Sequence, residues 1–435
     1  MTPVGTVSPD HVVATPLQFC PDLIALSATP GLVAPAVLTV RGWRLLVADP
    51  VRRLDSVAAV SAYAEDVGWQ SAAPEGPPFR TAAVGFLTDD ISAELLSLPP
   101  DDRPPAAHLP PVSFGVYDWA VAVSPDGRGW VVADPDRTAA LITWAATPAP
   151  RLATAAVAKR TATFGLDRSA HAAAVAQILE WIAAGDLYQA NLTFQAAVDW
   201  HGGPHELAAR LEQATPGGAH AGLLVVDDDT AIVSVSPETF LRIDGDCITT
   251  RPIKGTRPRH ADAVADARAA DELLASGKDA AEHLMIVDLE RNDLGRVCRP
   301  GSVVVPQYAA LEEHPTVWHL TSTVRGELRP GVSLTDVIAA TFPPGSVTGT
   351  PKRMAVARTR LLEPVRRGVY CGAIGIITAG LVDLSVAIRT AVVANGVATY
   401  GTGGGIVADS QAVAEYDEAL AKAAAFLTAT GGMSA

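Results

Sequence analysis

Between Ala398 and Leu427 the chain reads ATYGTGGGIVADSQAVAEYDEALAKAAAFL, and no other stretch limits its fold so sharply. Gly401, Gly403, Gly404 and Gly405 separate a short strand-like run from a long helical one. Glycine permits positive φ and close backbone approach to a ligand, so such a run can form a nest of N–H groups for an anion. Asp409 or Ser410 can cap the helix that follows. On that helix Glu415, Glu418 and Lys422 share one face, being spaced i, i+3 and i+7. An anion cradle would then open onto paired carboxylates able to hold a cation. The same residues also read as a glycine turn before a helix with a solvated acidic face.

The charge balance narrows the partners. A net charge of −14 over 435 residues argues against a general nucleic-acid surface, which would show clustered Lys and Arg. Cys20, Cys247, Cys298 and Cys371 lie far apart with no CxxC pair, as expected of reduced thiols in the cytoplasm rather than a disulfide framework or a zinc site. The start, MTPVGTVSPD, lacks the basic and apolar regions of a signal peptide. The most apolar segment, 372–393, contains Asp383, Arg389 and punctuating glycines, which predicts successive buried strands and no membrane span.

Two regions differ in texture. Residues 1–155 hold short β-like runs separated by proline-rich breaks at 74–78, 99–111 and 147–150, and carry no dense catalytic cluster. They are expected to support or flank a site built by residues 160–430. There the pattern predicts a helix ending near Gly185 and a strand through LYQANLTFQAAV. Several short strands follow over 221–250, then helices at 261–275 and 278–290. Strands at 302–306 and 317–328 precede a helix at 351–366 and strands at 369–377, 383–394 and 397–400. Mixing without regular βαβ alternation predicts an α+β fold with large antiparallel sheets.

Chemistry-bearing residues cluster in this second region. RPIKGTRPR at 251–259 is a basic island in an acidic chain, and positive neighbours can lower the pKa of Lys254 towards nucleophilicity. A solvated basic loop would look the same. Glu238, in SPETF, is either a general acid or a cap. DAAEHLMIVDLERNDL places Asp279 and Glu282 one turn apart, with Glu282 beside an apolar centre that must be buried. With Glu415 and Glu418 they make two carboxylate pairs, a donor set suited to magnesium. His319 alternates with apolar residues, as a core histidine also would. PPGSVTGTPKR is glycine-rich but fails the phosphate-loop spacing. Arg389, inside an apolar run, needs an anionic partner from substrate or protein.

Taken in order, GDLYQANL, SPETF, RPIKGTRPR, EHLMIVDLERNDLGRV, HLTSTVRG, FPPGSVTGTPKR, YCGAIG and GTGGGIV…EYDEALAK closely resemble the chorismate-utilising enzymes. The resemblance covers about 160–430 and implies antiparallel sheets packed within outer helices, with the site between them. It implies that Glu282 and Glu418 hold a magnesium ion that binds a carboxylate of chorismate, with Asp279 and Glu415 as the outer pair. Gly403, Gly404 and Gly405 match glycines that offer N–H groups to a carboxylate. Tyr370 and Arg389 match residues that hold the enolpyruvyl carboxylate, and Lys422 belongs to the same substrate-binding set. Glu238 matches the acid that protonates the departing hydroxyl; His319 and Thr348 match further active-site residues.

Two positions separate the branches. Water-adding members carry lysine where this chain has Gln189, so the resemblance implies ammonia as nucleophile. Lys254 matches a lysine proposed to attack the ring in the branch that forms aminodeoxychorismate, on the way to 4-aminobenzoate and folate. The anthranilate-forming branch, the alternative, usually has PIAGT there. Ammonia-using family members usually draw it from a glutamine amidotransferase. None of the four cysteines here has that enzyme's nucleophile context, so a separate glutaminase subunit is expected. A tryptophan-binding signature found in many relatives is not recognisable in ALSATPGLVAPAV.

Overall fold

The computed structural model describes residues 12–72, 75–152, 157–216 and 218–434. The start, read above for a leader, and part of the break at 74–78 lie outside the described residues. Alternation along the strands decides the architecture. In Ala36–Val40, Ala36, Leu38 and Val40 face one core while Val37 faces another. In Ala373–Thr378, Ile374 and Ile376 face that same shared core, and Ala373 and Ile377 point away from it. Successive strand residues project to opposite faces, so each sheet is apolar on both sides and must be covered twice.

The result is two large sheets packed on each other and clad by helices. A 13-stranded sheet contains the strands Gln189–Asp199, Thr390–Ala394 and Val397–Ile406; a 10-stranded sheet contains Ile253–Pro258, Val317–Glu327 and Leu381–Val386. Among the described residues the strands pair antiparallel apart from Gly432–Ser434 alongside Arg160–Phe164, with one isolated parallel bridge between Pro105 and Arg366. Between the sheets Leu38, Leu45 and Ile232 of the first meet Val84, Phe86 and Ile376 of the second. Helices Pro204–Ala214 and Ala412–Thr430 cover the outer face of the first sheet, and Val57–Val67, Gly277–Gly295 and Leu334–Thr341 that of the second. The expected α+β class is what forms. Strands from before residue 155 continue both sheets, Ala82–Leu87 pairing with Ala373–Thr378 and Ala36–Val40 with His220–Val225.

Three local expectations change. The helix expected over 351–366 stops at Thr359, because Pro364 disfavours helical backbone before it and removes a donor. The run expected as one strand over 383–394 is two, Leu381–Val386 in one sheet and Thr390–Ala394 in the other. The chain crosses between sheets at Ala387–Arg389, where Arg389 takes φ of 49°. Neither Asp409 nor Ser410 caps the last helix: Gln411 is its N-cap without a side-chain bond, and Ser410 Oγ accepts from Val407 N.

Candidate active site

The glycines lie within a strand, Val397–Ile406, rather than in a loop, and Gly401, Gly403, Gly404 and Gly405 have no positive φ. Close packing is what demands glycine here. A Cβ on Gly401 would stand 2.1 Å from Cγ of Tyr370, one on Gly403 2.2 Å from the Leu192 carbonyl oxygen, and one on Gly405 2.3 Å from Nε2 of Gln189. Val397–Tyr400 pair with strands on both sides, but Gly401–Ile406 pair only with the Gln189 strand. Alternate backbone groups of the glycine run therefore point away from that partner, where the Gly403 carbonyl accepts from Lys422 and the N–H groups are open to a ligand. Substituting Gly405→Ala is expected to displace the buried Gln189 amide and cost about 1–3 kcal/mol of stability by overpacking. A urea titration and an activity assay on the same sample check this, with activity falling more than stability.

Gln189 and Lys254 both border Gly405. Gln189 is fully buried, and neither its Nε2 nor its Oε1 has a partner. The position that a Cβ on Gly405 would occupy lies 3.5 Å from Lys254 Nζ. Lys254 is presented by a bulge: its strand pairs Lys254 with Leu320 and Thr256 with His319, and the register slips at Gly255 between them. Gly255 has φ of +80°, and a Cβ there would strike Leu273 at 2.8 Å, so glycine is required on both counts. Burial depresses the pKa of Lys254; Glu282, Glu238 and Glu418 oppose this and Lys422 adds to it.

Glu238 follows the strand Thr230–Ser236, and only 3% of its surface is exposed. Burial pushes its carboxyl up to about 7, against the pull of Ser346, Lys254 and Arg389. His319 is equally enclosed, with neither ring nitrogen partnered; burial, Arg389 and His314 hold it down at about 3, a neutral imidazole. Arg389 has no ion pair or hydrogen bond from its side chain among the described residues, so of its two possible partners a protein carboxylate is not the one found. Tyr370 packs on Gly401, and burial raises its hydroxyl far above the ordinary value. Thr348 is buried with its hydroxyl donating to the Pro344 carbonyl at 2.7 Å.

The acidic residues gather at the other end. Lys278 Nζ lies 2.8 Å from Glu415 and 3.8 Å from Glu282, while Lys422 Nζ bonds Glu418 at 2.8 Å and the Gly403 carbonyl at 3.0 Å. A Cβ on Gly404 would sit 3.5 Å from Glu415 Oε2, which places this cluster beside the glycine run. Among the described residues no three His, Cys, Asp or Glu groups stand at metal-holding spacing. The Lys278 ammonium nevertheless occupies the gap between two of the carboxylates expected to serve magnesium, and their hard oxygen donors suit that ion. Asp279 stands apart, paired with Arg257 at 2.9 Å.

Some of the site's residues were not foreseen from the sequence. Lys278 carried a readable signal, one helical turn before Glu282. Ser346 lay in a motif already singled out. His283, whose Nε2 is 2.6 Å from Ser322 Oγ and which burial and Lys254 depress to about 4, carried no such signal, because the pairing depends on a distant strand.

An enclosed acid, an unpaired amine, an unpaired guanidinium and a free strand edge, opening onto a carboxylate cluster, define an enzyme site for a small polyanion. The comparisons agree. A model of chorismate binding enzymes matches residues 44–428, and the chain belongs to that family. Aminodeoxychorismate synthase component 1 of Salmonella typhimurium is 39% identical over 354 residues, covering 79% of this chain and 76% of that protein. Anthranilate synthase component 1 of Thermus thermophilus is 37% identical over 409 residues, 90% of this chain and 85% of that one. The crystal structure of anthranilate synthase component I from Streptococcus pneumoniae TIGR4 superposes with a TM-score of 0.76 at 26% identity, covering 98% of this chain and 94% of that one.

Proposed function

We propose that this chain acts as an aminodeoxychorismate synthase component I, aminating chorismate at its hydroxyl-bearing carbon and retaining the enolpyruvyl group. The observation that carries the reading is the buried, unpartnered Gln189 amide beside Gly405, which the unpaired Lys254 also borders. A neutral amide offers an acceptor for the N–H of ammonia but no base for water. Ammonia would come from a separate glutamine amidotransferase subunit in the cytoplasm, and the product would serve 4-aminobenzoate and folate synthesis.

In this reading Arg389, Tyr370 and the free edge of Gly403–Gly405 bind the carboxylates, with Lys422 and Thr348 bordering them. Lys254, as the free amine, attacks the ring carbon; Glu238 gives its proton to the departing hydroxyl, which leaves as water. Ammonia then displaces the lysine nitrogen, and one proton returns to Glu238. Neutral His319 serves as a hydrogen-bond donor to substrate. Glu282 and Glu418 would hold magnesium, with Glu415 outside them, and the ion would neutralise substrate carboxylate charge; Asp279, expected beside Glu415, is held by Arg257 instead. The half-exposed Lys278 must withdraw for this. Lys278→Met is therefore expected to tighten magnesium binding about fivefold, equivalent to about 1 kcal/mol for one partly exposed ion pair. Calorimetry with magnesium alone checks it, and weaker binding in the variant would contradict the competition.

The amination reading is tested by chorismate consumption with and without ammonium salt. Consumption should require ammonia. Isochorismate formed from water in its absence would overturn the role given to Gln189.

A further inference from the structure

Behind the glycine strand lies a buried ion pair that the chemistry above does not use. Glu363 and Arg367 have side chains 1% and 4% exposed, and every bond they make is accounted for. Glu363 Oε1 accepts from Thr193 N at 3.1 Å, Thr193 Oγ1 at 2.9 Å and Arg367 Nη2 at 2.7 Å. Its Oε2 accepts from Arg367 Nε at 3.1 Å and from Arg103 Nη1 at 3.2 Å. Arg367 donates onward to the carbonyls of Asn191 at 2.7 Å and Val347 at 3.2 Å. The Asn191 side chain donates to the same Val347 carbonyl at 2.9 Å.

These endpoints are the backbone of the substrate cradle. Asn191 stands opposite Gly405 and Thr193 opposite Gly403, while Val347 precedes Thr348, whose carbonyl accepts from Asn191 N at 2.9 Å. One ion pair thus ties the strand that presents Gln189 to the Thr348 turn, and the glycine strand is laddered onto that first strand. Arg103 reaches the pair from the proline-rich stretch at 99–111, 260 residues away in sequence. Asp101 orients it through bonds of 3.0 and 2.7 Å. A buried ion pair is weak evidence for stability in itself. A fully satisfied one that ends on site backbone fixes geometry.

We propose that Glu363 and Arg367 are positioning residues for the chorismate cradle, and that Arg103 is the arm by which the N-terminal proline-rich segment holds them in register. The proposal rests on the functional reading above. Removing Glu363 or Arg367 would strand a buried charge and unfold the chain, so Arg103 is the residue to change. Without it Glu363 keeps Arg367 and Thr193, and Asp101 keeps Arg360 at 3.4 Å.

Arg103→Gln should raise KM for chorismate about tenfold and leave kcat within about twofold, the signature of lost uniform binding. Arg103→Lys should recover part of the loss, since it keeps the charge but not the fork that spans Asp101 and Glu363. Arg137→Gln, which breaks the Arg137–Asp118 pair in the same region, should leave KM unchanged. A KM for Arg103→Gln within twofold of the parent, whatever its melting temperature, would overturn the proposal. Failure of the parent chain itself to consume chorismate would instead overturn the functional reading.

Discussion

Lys254→Ala is expected to lower turnover of chorismate with ammonia by about 10³-fold or more, the scale of losing a covalent nucleophile. Its unfolding midpoint should hardly move. Lys254 has no ion pair or hydrogen bond from its ammonium among the described residues, so its removal strands no buried partner. Burial depresses its pKa and enlarges the fraction present as free amine at neutral pH. The change also takes a cation away from Glu238, whose carboxyl should then titrate higher than in the parent. Steady-state kinetics and thermal unfolding on the same preparation check both halves. Intact mass of the parent, mixed with chorismate without ammonia, should show an adduct of one chorismate less one water. Full activity in Lys254→Ala would reduce the lysine to a bystander.

Glu238→Gln should cost about 10²–10⁴ in kcat, the usual worth of a placed general acid. The pH profile separates this from a packing defect. Glu238 sits at about 7 because burial disfavours its charged form. A general acid must be protonated to act, so Glu238 should give the parent's rate an alkaline limb, a decline as pH rises through about 7. The Gln variant, which carries no proton to lose, should lack that limb. An unchanged alkaline limb in Glu238→Gln would assign it to another group.

The class of fold was legible because period-2 alternation and the mixture of strands and helices are local properties. The site was legible unevenly. Gln189, Glu238, Lys254 and Arg389 stand in short motifs, and the structure brings them to one place with the glycine run. The glycines' reason for being there was not readable: the sequence suggests a positive-φ nest, whereas Gly401 and Gly405 are small to admit Tyr370 and Gln189. Gln189 comes from a strand about two hundred residues earlier in the chain and Tyr370 from the turn before Ala373–Thr378, so neither contact is a local property. Arg389 was expected inside a strand, and its place at the crossing between sheets depends on which sheet each half joins. Lys278 stands one helical turn before Glu282, a spacing that could be read, but its bond to Glu415 and that of Arg103 to Glu363 join distant segments, and periodicity carries no information about them.

The most direct test of the central claim is product identity. The purified chain is incubated with chorismate, magnesium and excess ¹⁵N-ammonium at mildly alkaline pH, and the product is identified by mass and ultraviolet spectrum. The account predicts aminodeoxychorismate carrying one ¹⁵N and an intact enolpyruvyl group, with no pyruvate released. Labelled anthranilate with one equivalent of pyruvate would contradict it.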